Sequence, residues 1–298
     1  MRQFILSVAA VAGAITLLSA CDSNINQALD NPQAMTQEDR VVRMSPEELG
    51  ARHYDALVQL LADVQHVENG SGKTPVDGRN VAKESCKRFL ERQPSPLFRQ
   101  ADCGSAMDAF HEFSRRQAKN TVGYGEGVLD ALAASGAYSD GQLRVIGDVF
   151  QVLESVSWEE DEYASQTVGG ELDRILDDSQ QSLNEEEVLA VRDVVAVARG
   201  SASFWSEYTD DLILAYADMY GVTLEIESGK QDVVLACNIG AIFGFSCAEV
   251  AMSDVAGAAG GAAVGLIFGP SALVGAGGGA VAGSVENGVS QILSYFYN

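Results

Sequence analysis

Basic side chains are scarce in this chain: 19 Lys and Arg stand against 42 Asp and Glu over 298 residues, a formal charge of −23. A protein that tracks a phosphate backbone needs the opposite sign, so nucleic acid is not expected as a partner. Histidine is rarer still, at His53, His66 and His111 only. No pair of histidines or cysteines has the short spacing of a zinc site, so no metal or cofactor is expected. Alternation of apolar and polar residues is nearly absent; Val222 to Glu227 is the best strand candidate, and it is short. With 47% hydrophobic residues the chain is too apolar to be disordered throughout. What it has in excess is glycine, 30 residues against six prolines, clustered near the C-terminus.

The N-terminus reads as an address. Arg2 precedes an apolar run from Phe4 to Leu18, and small residues lead to Cys21. This is the pattern of a secretion signal over residues 1–20 rather than of a fold element. Taken alone, the run could nearly span a bilayer as an uncleaved anchor, but it lacks a basic stop on its far side. Leu18-Ser19-Ala20-Cys21 resembles the lipobox of bacterial lipoproteins. The resemblance implies cleavage before Cys21, lipidation of that cysteine and anchorage in the cell envelope, facing the periplasm or the cell surface. Asp22 next to it matches the enterobacterial pattern of retention in the inner membrane.

Beyond Cys21 remain Cys86, Cys103, Cys237 and Cys247. An even number in an exported chain suggests two disulfides, with three possible pairings. Pairing of neighbours, Cys86 with Cys103 and Cys237 with Cys247, is preferred. Ten residues of continuous helix would hold the second pair about 15 Å apart, too far for a disulfide. Cys237 and Cys247 therefore flank a turn, for which Gly240 and Gly244 are available, or pair elsewhere.

Residues 21–44 are polar and weakly patterned, as in a tether. Ser45-Pro46-Glu47-Glu48 then combines a helix N-cap, a proline at the first helical position and a capping-box glutamate. Leu57, Leu60, Leu61 and Val64 follow at helical spacing until the Asn69-Gly70-Ser71-Gly72 loop. Ser139 opens a second such segment with Leu143, Ile146, Phe150 and Leu153. Asn184 and Glu187 open a third, ahead of Val188, Val191, Val195 and Ala198. These starts share a grammar but not a period, so they are not a tandem repeat. The fold class expected is all-α: a body of six to eight helices over residues 45–230, then a Gly/Ala-rich helical hairpin within residues 231–298.

Stretches that invite chemistry are weak. Gly70-Ser71-Gly72-Lys73-Thr74 resembles the end of a phosphate-binding loop, but Val67 stands where the first glycine is required and Pro75 follows. Gly244-Phe245-Ser246-Cys247-Ala248 is similar to a nucleophile elbow, without its last glycine or an α/β setting. The elbow would draw its base from three histidines that read better as surface or helix-end residues. Eleven carboxylates between residues 158 and 187 face one basic residue, Arg174, with no calcium-loop spacing; they read as a solvated acidic face. Ala198-Arg199-Gly200-Ser201-Ala202-Ser203-Phe204-Trp205 places small residues before an aromatic plug. That pattern suits close helix packing, with a ligand pocket floored by Trp205 as the alternative.

The tail is the most informative stretch. From Val255 to Val285 no residue is charged, and glycine recurs at every fourth position: Gly257, Gly261, Gly265 and Gly269, then Gly275, Gly279 and Gly283. In a helix each set forms a smooth stripe that lets a second helix approach closely. Gly269-Pro270 divides the sets, predicting arms over 254–268 and 271–296. The pattern resembles the glycine-zipper segments of bacterial envelope lipoproteins such as the rickettsial 17 kDa surface antigen family, which implies an envelope role. In composition it is also similar to the Gly/Ala helices of membrane-active peptide toxins. The first arm reaches about 22 Å, short of the roughly 30 Å hydrocarbon core. Three readings stay open: a hairpin buried in the body, a shallow membrane hairpin, or an interface for a homo-oligomer. The functional expectation is a non-enzymatic envelope lipoprotein held to the membrane through Cys21, a structural or interaction module. The alternative is a membrane-active effector whose tail inserts into a target bilayer.

Overall fold

The computed structural model describes residues 45–66, 78–92, 124–158, 163–220 and 246–268. Within them the protein is all-α, with seven helices and no strand. These are α1 (Pro46–Gln65), α2 (Gly78–Glu91), α3 (Tyr124–Ser135), α4 (Asp140–Ser155), α5 (Ala164–Ser182), α6 (Glu185–Met219) and α7 (Cys247–Phe268). The strand candidate at 222–227, the phosphate-loop candidate and the second arm of the hairpin lie outside the described residues.

The three predicted helix starts are all present. Ser45 accepts a hydrogen bond from the Glu48 amide, with Pro46 as the first helical residue. Ser139 and Asn184 each form a complete capping box, with Gln142 and Glu187 as the returning side chains. Each satisfies amides that the first helical turn leaves without an intrahelical partner. The two boxes also touch: the Gln142 side-chain amide donates to the Glu187 carbonyl at 3.2 Å, tying the start of α4 to the start of α6. α3 ends at Gly136, whose φ of 68° is the left-handed conformation that closes a helix. His66 closes α1, its Nδ1 lying 2.6 Å from the Ala62 carbonyl.

α6 organises the body. At 35 residues it is about 52 Å long, and α1, α4, α5 and α7 all pack on it. Its buried residues, including Val191, Val194, Ala198, Phe204, Trp205 and Leu212, do not fall on a single stripe, because neighbours approach from several directions. α2 packs on α1, and α3 and α4 pack on each other and on α7. The carboxylates of α5 lie outward as the composition suggested: Asp173, Asp177 and Asp178 are exposed, and Arg174 pairs with Glu171 and Asp178.

α1 and α6 approach most closely where Gly50 meets Ala196 and Gly200. A methyl group on Gly50 would sit inside the Ala196 carbonyl, and one on Gly200 inside the Gly50 carbonyl. Glycine therefore brings two helices together in the body itself, at a contact that the pattern of the tail did not reveal.

Candidate functional site: a buried carboxylate on the Gly/Ala helix

α7 begins seven residues earlier than the predicted arm and ends, as predicted, before Gly269-Pro270. Ser246 starts it by accepting a hydrogen bond from the Glu249 amide at 3.2 Å. The serine of the elbow-like stretch is thus a helix cap, and the neighbouring Cys247 is buried at 1% exposure. From Val250 to Ala259 every residue is buried. A helix that is apolar nearly all round has no face to give to water, so it is enclosed by others, here α6, α3 and α4. Residues 247–260 therefore share one core with the helices before residue 230 rather than standing apart as a tail.

The exception to that apolar surface is Asp254, a carboxylate with no solvent exposure. Three side chains meet its Oδ2. The indole Nε1 of Trp205 donates at 2.9 Å, the Ser201 hydroxyl donates, and His53 Nε2 lies at 3.2 Å. Ser201 and Trp205 are one turn apart on α6, and His53 comes from α1, so one oxygen joins three helices. Ser201 and Trp205 donate to this oxygen, and His53 can do so in the tautomer that carries its proton on Nε2. Removing a carboxyl group from water is costly unless such partners replace the solvent, so these contacts are what permits the group at this depth. Oδ1 has no hydrogen-bond partner among the described residues.

The residue types resemble those of a Ser-His-Asp triad, but the connectivity differs. In a triad the histidine stands between serine and aspartate and takes the serine proton. Here the aspartate is the hub: Ser201 donates to the carboxylate, and His53 Nε2 faces that same oxygen. Ser201, Trp205, Asp254 and His53 are at most 2% exposed, so the arrangement presents no reacting atom at a surface. Its chemistry is that of a structural joint. Sequence reading took His53 for a surface residue; its burial against a carboxylate 201 positions away corrects that expectation. Trp205 is the core plug that the small-then-aromatic spacing suggested, and its pyrrole N–H is spent on Asp254.

Two further contacts hold α7. The Tyr138 hydroxyl donates to the Ala259 carbonyl at 2.7 Å. Burial, and then the nearby Asp193 carboxylate, pushes this phenol well above its ordinary range, so it stays protonated and available as a donor. At the other end of the buried stretch Cys247 Sγ lies 3.2 Å from Thr209 Oγ1, whose hydroxyl also reaches the Trp205 carbonyl.

Of the residues singled out in sequence, Cys86 lies buried on α2 and Cys247 at the start of α7. Gly257 is buried within α7, and Gly261 and Gly265 continue the same helix. Cys21, Cys103, Cys237, Gly269, Gly275, Gly279 and Gly283 lie outside the described residues. Among the described residues no helix is long and apolar enough to cross a membrane, and no cluster of His, Cys, Asp and Glu could hold a metal ion. Sequence reasoning missed Asp254 as the centre of the site. Its signal was a lone acid flanked by Met252, Val255 and Ala256, an apolar setting in which a charge must find partners. No protein-family model matches the chain, and no similar protein was found among curated sequences or solved structures.

Proposed function

We propose that this protein is a non-enzymatic lipoprotein of the bacterial cell envelope, anchored through a lipid on Cys21, whose helical body serves as a structural or interaction module. The observation that carries this reading is the seating of the Gly/Ala helix. Residues 250–259 are buried in the body, and Asp254 is joined to α1 and α6 through His53, Ser201 and Trp205. A helix held in this way acts as packing material for the module and is not free to enter lipid. The lipobox-like Leu18-Ser19-Ala20-Cys21 supplies the anchor and the export route. Cys86–Cys103 and Cys237–Cys247 disulfides belong to the same reading, since an oxidising compartment permits them.

Fractionation of cells that produce the full chain and its Cys21→Ser variant tests the anchor. The native protein should partition with membranes and carry a lipid mass on its N-terminal peptide, and the variant should be released. A variant still firmly in the membrane would transfer the anchoring role to the C-terminal segment. The second reading, a membrane-active effector, predicts that the full chain releases dye from vesicles. That outcome would overturn the first reading.

A further inference from the structure

A cleft of about 880 Å³ opens between α1 and α5 above one face of α6. Its floor is apolar, made by Val195 and Ala196 of α6 with Leu176 of α5. Gly50 and Gly200, at the closest approach of α1 and α6, also line it. The rim is acidic, with Glu47, Asp55, Asp173, Asp177 and Glu207. Arg192 and Arg199 are the two cations among the lining residues, and Arg199 is already paired with Asp173 across the cleft. The rim side chains are exposed. Among the described residues only Tyr163 and Leu214 stand out as exposed large hydrophobic residues, and both lie outside this cleft.

We infer that this cleft is a docking groove for a basic amphipathic helical segment of a partner protein. The lining residues of α6 run from Arg192 to Glu207, about four turns or roughly 24 Å, which matches the length of a short recognition helix. The apolar side of such a helix would cover Val195, Ala196 and Leu176, while its Lys or Arg side chains would meet the rim carboxylates. Apolar anchors in a groove with complementary charge at the edge are the usual mode of helix recognition. An anionic lipid surface is disfavoured by the same rim. The inference deepens the reading of the body as an interaction module and rests on it.

The test titrates the full-length protein, purified in mild detergent, into a fluorescent helical peptide of about fifteen residues with lysines on one face and leucines on the other, followed by anisotropy. Its counterpart carries glutamate in place of every lysine. The lysine peptide should bind, the glutamate peptide should not, and affinity should fall as salt rises. Asp55→Lys with Asp177→Lys should weaken binding about tenfold or more, and Ser203→Trp, which fills the floor, should do the same. Asp148→Lys with Glu154→Lys, the same charge change on the exposed face of α4, should leave the affinity within about twofold. Circular dichroism checks that each variant is folded, and the rim pair carries the test if Ser203→Trp is not. Equal weakening by both charge pairs would mean that the peptide senses only the −23 of the chain, and would overturn the groove. Binding that appears only after deletion of residues 22–44 would show the groove to be filled by the chain's own segment, and would also overturn it. Neither result touches the lipid mass on Cys21, so failure of the groove and failure of the lipoprotein reading are separate observations.

Discussion

Gly50 of α1 and Gly200 of α6 lie at a helix crossing so close that a methyl group on Gly200 would enter the Gly50 carbonyl, and one on Gly50 would enter the carbonyl of Ala196, one turn before Gly200. The obstructing atoms are backbone, which cannot rotate away as a side chain can. Gly50→Ala or Gly200→Ala should each destabilise the protein by about 1–3 kcal/mol, read as a lower urea midpoint. The double variant should cost less than the sum, because one separation of α1 from α6 relieves both clashes. A midpoint unchanged in both single variants would show that the crossing is looser than described.

Asp254 makes a second prediction. Asp254→Leu leaves the donors of Ser201, Trp205 and His53 buried without their acceptor, at a cost of about 3–5 kcal/mol. The indole N–H of Trp205 reports the loss directly, since its fluorescence should shift when the hydrogen bond at 2.9 Å is gone. Combining Asp254→Leu with Ser201→Ala and His53→Leu should recover part of the stability, because an apolar set leaves fewer polar groups unpaired. No recovery would mean that the carboxylate holds α7 through contacts other than these.

The capping boxes carry a pH dependence. Glu187 lies below its ordinary value of 4.5, chiefly through its hydrogen bond to the Asn184 backbone and then through the Ser139 side chain. A lowered pKa in the folded protein means stability that is present above the unfolded value and is lost as pH falls below about 4.5. Glu47, at the start of α1, behaves in the same sense. Glu187→Gln keeps a hydrogen-bonding side chain and should flatten part of that acid limb while changing stability little at neutral pH. Asn184→Ala removes the cap itself and should cost about 1 kcal/mol at any pH. Urea titrations at pH 7 and at pH 4 distinguish the two.

Tyr138→Phe removes the 2.7 Å hydrogen bond to the Ala259 carbonyl while leaving the ring in place. The expected loss is about 1 kcal/mol. Amide exchange should quicken around residue 259 more than in α1, since the hydroxyl secures the far end of the buried stretch. Uniform exchange throughout the protein would show that Tyr138 is merely packed.

Local grammar made much of this architecture legible. Ser45, Ser139 and Asn184 declared three helix starts by their own side chains, and Gly269-Pro270 marked the end of α7. Charge on α5 and the Trp205 plug were legible for the same reason, since exposure and bulk are properties of a short segment. Asp254 was not. In the sequence it is a lone acid beside apolar residues, and nothing nearby announces partners on α1 and α6. Gly50 was hidden too: a single glycine in an amphipathic helix reads as a small loss of propensity until the helix that crosses it is known.

α7 is the last of the described helices in the chain, yet it lies against the central one. As the polypeptide emerges, α1 to α6 are complete while the surface they will close around is still missing, and the donors of His53, Ser201 and Trp205 wait for a carboxylate that has not yet been synthesised. The interior is therefore complete only once residues 250–259 are in place. A chain that stops short of residue 250 would leave those three side chains in an unfinished interior.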